Sequence, residues 1–161
     1  MVLALAACRT PAPPPSPAAA PVAVEVTAPS PALAALAAQY WNERLAADPI
    51  EATALGDRRF DDRLPDASPG GRAVRRASLE ALRTRVQALP PATLSPTDRV
   101  THAMLLGEID AELARHECHL DDWVVDAREG PQVGYLRLAE LQPVKTVAEG
   151  RARDGRWGLI G

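Results

Sequence analysis

Leu94-Ser95-Pro96-Thr97-Asp98-Arg99-Val100-Thr101-His102-Ala103-Met104-Leu105-Leu106-Gly107-Glu108-Ile109-Asp110-Ala111-Glu112-Leu113-Ala114-Arg115-His116 is the stretch on which the fold turns. A serine offers its hydroxyl to the orphan N–H groups of a first helical turn. Proline one place later is already at helical φ and has no N–H to lose, and Asp98 sets negative charge against the positive end of the helix dipole. A helix therefore starts at Ser95, and Leu106, Ile109, Leu113 and His116 recur at spacings that share one face. Just upstream, Leu79, Leu82, Val86 and Leu89 repeat in the same manner. They belong to a helix opened by Ser68-Pro69 and ended by Pro90-Pro91, with Gly70 and Gly71 weakening its first turn. Two helices with matching stripes and a short proline-rich link predict an antiparallel hairpin.

Working outward, Ser30-Pro31 repeats the start signal, and Leu33, Leu36, Ala37, Tyr40, Trp41 and Leu45 follow on one face of an N-terminal helix of about four turns. Asp48-Pro49 with Glu51 predicts a second, short helix that runs to Leu55 and halts at Gly56. Residues 57–66 form a charged loop, with Phe60 and Leu64 as apolar anchors and aspartates pairing locally with Arg58, Arg59 and Arg63. Beyond His119 the periodicity is lost. Trp123-Val124-Val125 reads as a short strand, Gly130-Pro131-Gln132 as a turn, and Gln142-Pro143 as a stop. Pro143 to Arg153 resembles the first turns of another helix that gains neither a C-cap nor a partner before Gly161. The fold class expected is mainly α, with antiparallel helices: a hairpin of two long helices plus an N-terminal helix, after a disordered Pro/Ala-rich tether, in an incomplete domain.

Composition sets limits on that fold. The chain has 161 residues, and of its 47% hydrophobic residues thirty-one are alanines while only six are aromatic. Alanine buries little area, so a core filled by large side chains is small. A formal charge of −3, from 18 basic and 21 acidic residues of interleaved sign, gives no electrostatic footprint for nucleic acid. Nor is there an apolar run of the length a membrane-spanning helix needs.

Met1 to Cys8 is an apolar run, and Leu5-Ala6-Ala7-Cys8 resembles a bacterial lipobox, the signal for cleavage and lipidation at the cysteine. No basic residue precedes the run, whereas a working signal carries a basic n-region, so residues 1–8 read as a truncated lipoprotein signal-like segment. Residues 9–31 hold eight of the sixteen prolines among Ala, Ser and Val and read as a disordered tether. Cys8 is then the lipid attachment point. The partner it implies is a membrane, and the location is the cell envelope, on the periplasmic face.

His116-Glu117-Cys118-His119 is the cluster that invites a metal. The helical His-Glu-x-x-His pattern of zinc proteases presents two imidazoles one turn apart at i and i+4 with a glutamate between them, and here the second histidine comes one position early. His116, Cys118 and His119 lack a fourth ligand nearby, since His102 lies more than three turns back. The competing reading places His116 on the apolar stripe and His119 at the helix C-terminus, where a cationic ring suits the dipole. There is no Gly-x-Ser-x-Gly elbow and no glycine-rich phosphate loop. The carboxylates Asp61 with Asp62, Asp121 with Asp122, and Glu108, Asp110 and Glu112 read as solvated charges. On these residues the catalytic set is none and the cofactor none.

Tyr40-Trp41, Asp48-Pro49 and the run from Ala52 through Gly56-Asp57-Arg58-Arg59-Phe60-Asp61-Asp62-Arg63-Leu64-Pro65-Asp66 together resemble the opening of the bacterial domain-of-unknown-function family numbered 885. Leu94 to Arg99, Gly130-Pro131-Gln132 and Leu138 to Ala148 fit the same pattern. The resemblance implies a helical N-terminal region over residues 32–150 and a divergent tail at 151–161. It further implies a longer protein similar to zinc carboxypeptidases, often exported as a lipoprotein, whose zinc motif lies on a later helix. No catalytic residue carries over to this chain. The expectation is an N-terminal fragment of an exported lipoprotein that resembles zinc metallopeptidases, inactive alone and self-associating through exposed apolar helix faces. The alternative is a small periplasmic helical adaptor that binds a partner protein.

Overall fold

A computed structural model describes residues 30–119 and 130–160. Among them are six α-helices: α1 (Pro31–Ala47), α2 (Pro49–Ala54), α3 (Pro69–Gln87), α4 (Pro96–Glu117), α5 (Pro131–Leu141) and α6 (Val147–Trp157). Short 3₁₀ turns cover Arg58–Phe60 and Pro91–Thr93, and no strand occurs among the described residues. Trp123-Val124-Val125, read above as a strand, lies outside them, as do Cys8 and most of the tether.

Each start read as a cap plus proline is a cap plus proline. The Ser30 hydroxyl accepts from the Leu33 amide at 3.5 Å, Ser68 from Gly71 at 3.0 Å and Ser95 from Asp98 at 3.1 Å. The Asp48 carboxylate accepts from both Ile50 and Glu51, at 3.1 and 2.9 Å. Gly71 is required by close approach, because a Cβ there would fall 2.5 Å from the Asp66 carbonyl oxygen. Gly56 takes φ +88°, which only glycine adopts cheaply, and so turns the chain out of α2.

α3 and α4 form the expected antiparallel hairpin, and α1 lies along both. Contacts of Ser30 with Asp98 and of Tyr40 with Glu112 advance together along α1 and α4, so these two helices run parallel. Gln39 meets Arg85 while Glu43 meets Ser78, which makes α1 antiparallel to α3. Leu33, Leu36 and Tyr40 of α1, Leu79, Leu82 and Val86 of α3, Leu94, and Leu105 and Ile109 of α4 make one buried cluster. Leu106 and Leu113 pack at its edge. The seam of α4 is therefore wider than the stripe read from sequence, and it begins earlier, with buried Asp98 and His102. The His102 Nε2–H donates to the Val86 carbonyl at 2.9 Å and ties the last turn of α3 to α4. Trp41 does not belong to the core: one position on from Tyr40 it has rotated off the seam and is 46% exposed.

A guanidinium holds the three helices on the polar side of this core. Arg75 of α3 donates to both carboxylate oxygens of Glu112 on α4, at 2.7 and 2.9 Å, and approaches Glu43 of α1 to 3.7 Å. The Tyr40 hydroxyl reaches the same Glu112 carboxylate at 3.4 Å; burial, helped by that negative charge, raises the phenol above its usual range.

Two readings of the C-terminal third are corrected. Gly130-Pro131-Gln132 is not an isolated turn but the start of α5, with Gly130 as N-cap and Pro131 in its first turn. Glycine before proline satisfies a turn and a helix start equally, and the following apolar residues bury little: Leu138 is fully covered while Leu136 is 75% exposed. The helix expected from Pro143 begins at Val147 and continues to Trp157 with a capping box between Thr146 and Glu149. It does gain a partner, because Arg156 is completely buried against α2 and α5.

Truncating the hairpin seam should therefore be costly where truncating Trp41 is not. Leu79→Ala and Ile109→Ala are each expected to lower unfolding free energy by about 2–5 kcal/mol, and Trp41→Ala by less than about 1 kcal/mol, read as denaturant midpoints at unchanged slope.

Candidate functional site

His116 and Glu117 close α4, Cys118 is its C-cap, and His119 takes a left-handed φ of +52° as the chain leaves the helix. Cys118 is an exposed free thiol. Among the described residues, no group of three or more His, Cys, Asp or Glu side chains converges in a way that could hold a metal. His116, Cys118 and His119 thus do not form a donor set, and the zinc implied by the family resemblance finds no fit in the described residues. Asp121 and Asp122 lie outside them.

Of the α4 carboxylates read as solvated charges, Glu112 is largely covered by Arg75, whereas Glu108 and Asp110 remain exposed and meet arginines only at the surface. Besides Glu112 with Arg75, Asp110 pairs with Arg83 at 2.6 Å and Glu108 approaches Arg44 to 3.9 Å. The charged loop pairs locally, as expected: Arg59 grips Asp57 and Arg58 holds Asp61 at 2.9 Å. The side-chain bond from Arg59 holds the Asp57 carboxyl below its ordinary value. Phe60 carries the Arg59 and Arg63 guanidinium groups at 5.1 and 5.7 Å from its ring centre.

Asp61 departs from the reading of a solvated charge. It is 3% exposed, and it belongs to the most enclosed polar cluster in the described residues. At the centre lies Arg156, with no exposed surface. One terminal nitrogen, Nη1, donates to the Thr53 hydroxyl at 2.9 Å and the Gln142 side-chain oxygen at 3.3 Å. The other, Nη2, donates to the carbonyls of Pro49 at 3.3 Å and Phe60 at 2.5 Å. The fifth N–H, on Nε, is buried without an acceptor. Asp61 stands 3.8 Å from Nη2 and supplies the counter-charge. Burial pushes the guanidinium below its ordinary value and the Asp61 charge opposes that shift.

The surrounding groups are bonded to one another as well. The Asp61 carboxylate lies 2.7 Å from the Thr53 hydroxyl, whose proton goes either there or to the Pro49 carbonyl at 2.9 Å. The Gln142 amide donates to the Asp61 carbonyl at 2.9 Å. Sequence reading missed Thr53, Gln142 and Arg156 altogether. The only local hint was the placement of Asp61 in the most distinctive loop of the chain. A shallow hollow open to solvent lies on α6 and the segment before it, lined by Val144, Lys145, Thr146, Val147, Gly150, Arg151 and Asp154.

Asp61→Asn removes the counter-charge of a buried guanidinium and should destabilise the packing of α6 by about 3–5 kcal/mol, measured by local hydrogen exchange. The Glu149 carboxyl, held low chiefly by the Lys145 amide and also by Thr146, supplies pH dependence of the opposite origin. Its folded value lies below the unfolded one, so its contribution is complete above the ordinary glutamate range and is lost as pH falls through the lower folded value. An NMR titration should show the start of α6 fraying only in that acid window, and Glu149→Gln should abolish the dependence.

A family model described as bacterial protein of unknown function (DUF885) matches residues 49–158. No curated protein and no solved structure matches the chain. The match opens at the first residue of α2 and closes just after α6, so Pro49, Thr53, Phe60, Asp61, Gln142 and Arg156 all fall within it. Covering more than half of the chain, it establishes that this protein belongs to the bacterial family of unknown function numbered 885.

Proposed function

We propose that this chain is a structural, non-catalytic helical region of an envelope-tethered protein that resembles zinc carboxypeptidases. In this reading its helices cover and support a catalytic half that lies elsewhere, and Cys8 carries the lipid that fixes it to the periplasmic face of a membrane. The observation that carries the proposal is the use to which the chemistry-bearing side chains are put. Glu43, Asp61, Asp110 and Glu112 all face arginines across helix interfaces, which is the arrangement of a scaffold rather than of a reaction centre. Apolar side chains meanwhile remain open on the outer faces, with Val74 72%, Met104 65% and Leu136 75% exposed. Such surface favours contact with a further protein mass or self-association. No helix among the described residues is long and apolar enough to cross a membrane, so attachment in this reading rests on the lipid.

One experiment addresses both halves of the proposal. Supplied with a basic n-region ahead of Met1 and produced in a Gram-negative host, the chain should fractionate with membranes, and Cys8→Ser should release it. The released chain, purified, should bind less than stoichiometric zinc, cleave no peptide with or without added zinc, and keep its helical circular dichroism in chelator. One zinc per chain with chelator-sensitive peptide cleavage would overturn the scaffold reading. Membrane retention of the Cys8→Ser variant would overturn the anchor.

A further inference from the structure

Among the described residues, α6 is held in a way no other long helix is. The helices α1, α3 and α4 share an apolar cluster, whereas the buried residue of α6 is Arg156 alone. Val147 at its start is 74% exposed and Trp157 at its end 36% exposed. An isolated helix of 11 residues has little stability in water, so the docking of α6 depends on where its arginine goes.

The place it goes to is built from other segments and closed by their own bonds. Thr53 is on α2, Asp61 follows the 3₁₀ turn and Gln142 caps α5, and their mutual hydrogen bonds do not include Arg156. Arg58 neutralises Asp61 from the outer side at 2.9 Å. Two main-chain carbonyls, of Pro49 and Phe60, complete the rim. A carboxylate, a hydroxyl, an amide oxygen and two carbonyls around one planar cation match the fork of a guanidinium and not the point charge of an ammonium. The fit of the resident group is also incomplete, because its Nε–H finds no acceptor although it is buried.

We propose that Thr53, Asp61, Gln142 and the carbonyls of Pro49 and Phe60 form a guanidinium receptor that Arg156 fills from within the chain. α6 is then a detachable arm, and the receptor it vacates takes an arginine side chain from another polypeptide. The hinge is the segment 143–146 between the Gln142 cap and the Thr146 capping box, which is exposed along its length. Release of α6 leaves the hairpin core intact, because none of the cluster residues belongs to α5 or α6. This inference is independent of the scaffold reading, since it concerns only what the node binds.

Hydrogen exchange on the full chain tests it, with ethylguanidinium as the probe and ethylammonium at equal concentration as the control. In the unmodified protein, amides of residues 147–157 should exchange at least about tenfold faster than those of 79–86 and 105–109, as expected for a sub-global opening. Ethylguanidinium, well below denaturing concentrations, should accelerate exchange in 147–157 severalfold while ethylammonium does not, with 79–109 unchanged under both. Arg156→Ala should bind ethylguanidinium saturably, seen as chemical-shift changes at Thr53 and Gln142, and Asp61→Asn on that background should remove the binding. Exchange of 147–157 in step with 79–86, or equal effects of the two cations, overturns the proposal. Both of these readings come from the unmodified chain, so they hold even if Arg156→Ala does not fold. A folded Arg156→Ala chain that ignores ethylguanidinium overturns it as well.

Discussion

A guanidinium cut off from water must have its N–H groups met by the protein, and the burial of Arg156 imposes that demand on four separate segments at once. The chain satisfies four of five donors by bringing together α2, the Arg58–Phe60 turn, the end of α5 and α6. Fully buried Pro49, Ala52 and Leu138 give these short elements only a small apolar contact, and the cation with the oxygens it needs fixes how they meet.

The bundle of α1, α3 and α4 solves a different problem with related means. Alanine supplies much of the apolar composition, so leucines, with one each of valine, isoleucine and tyrosine, form a narrow seam. Where the seam ends, Arg75 takes over, using both oxygens of Glu112 and the nearby charge of Glu43 to set the spacing of three helices. A paired and largely covered guanidinium of this kind fixes geometry more than it adds net stability, since desolvation offsets much of its attraction. The apolar seam supplies the cohesion and the arginine the register.

What could be read from the sequence was what is local. Ser30-Pro31, Asp48-Pro49, Ser68-Pro69 and Ser95-Pro96 announce helices because the cap and the first turn lie within four residues of each other. The hairpin followed from stripes on either side of Pro90-Pro91. Gly130-Pro131 failed because a turn and a helix start make the same local demand there, and the apolar residues after it bury too little to decide between them. Trp41 failed because a stripe read at one-turn resolution cannot distinguish the middle of a seam from its edge. Arg156 and Thr53 are 103 positions apart, and nothing in either neighbourhood reports on the other. The metal reading of His116, Cys118 and His119 shows the converse, a local pattern for which the described fold provides no matching surroundings.

The bond from the Ser30 amide to the Asp98 carboxylate, 3.0 Å long, has a mechanical meaning. It joins the N-cap residue of α1 to the first turn of α4, and the two helices run in the same direction from that point. Displacing the start of α1 along its axis against α4 would shear the contact between them and break this bond with it. Separation then requires many seam contacts to slide together instead of opening in succession like a zip.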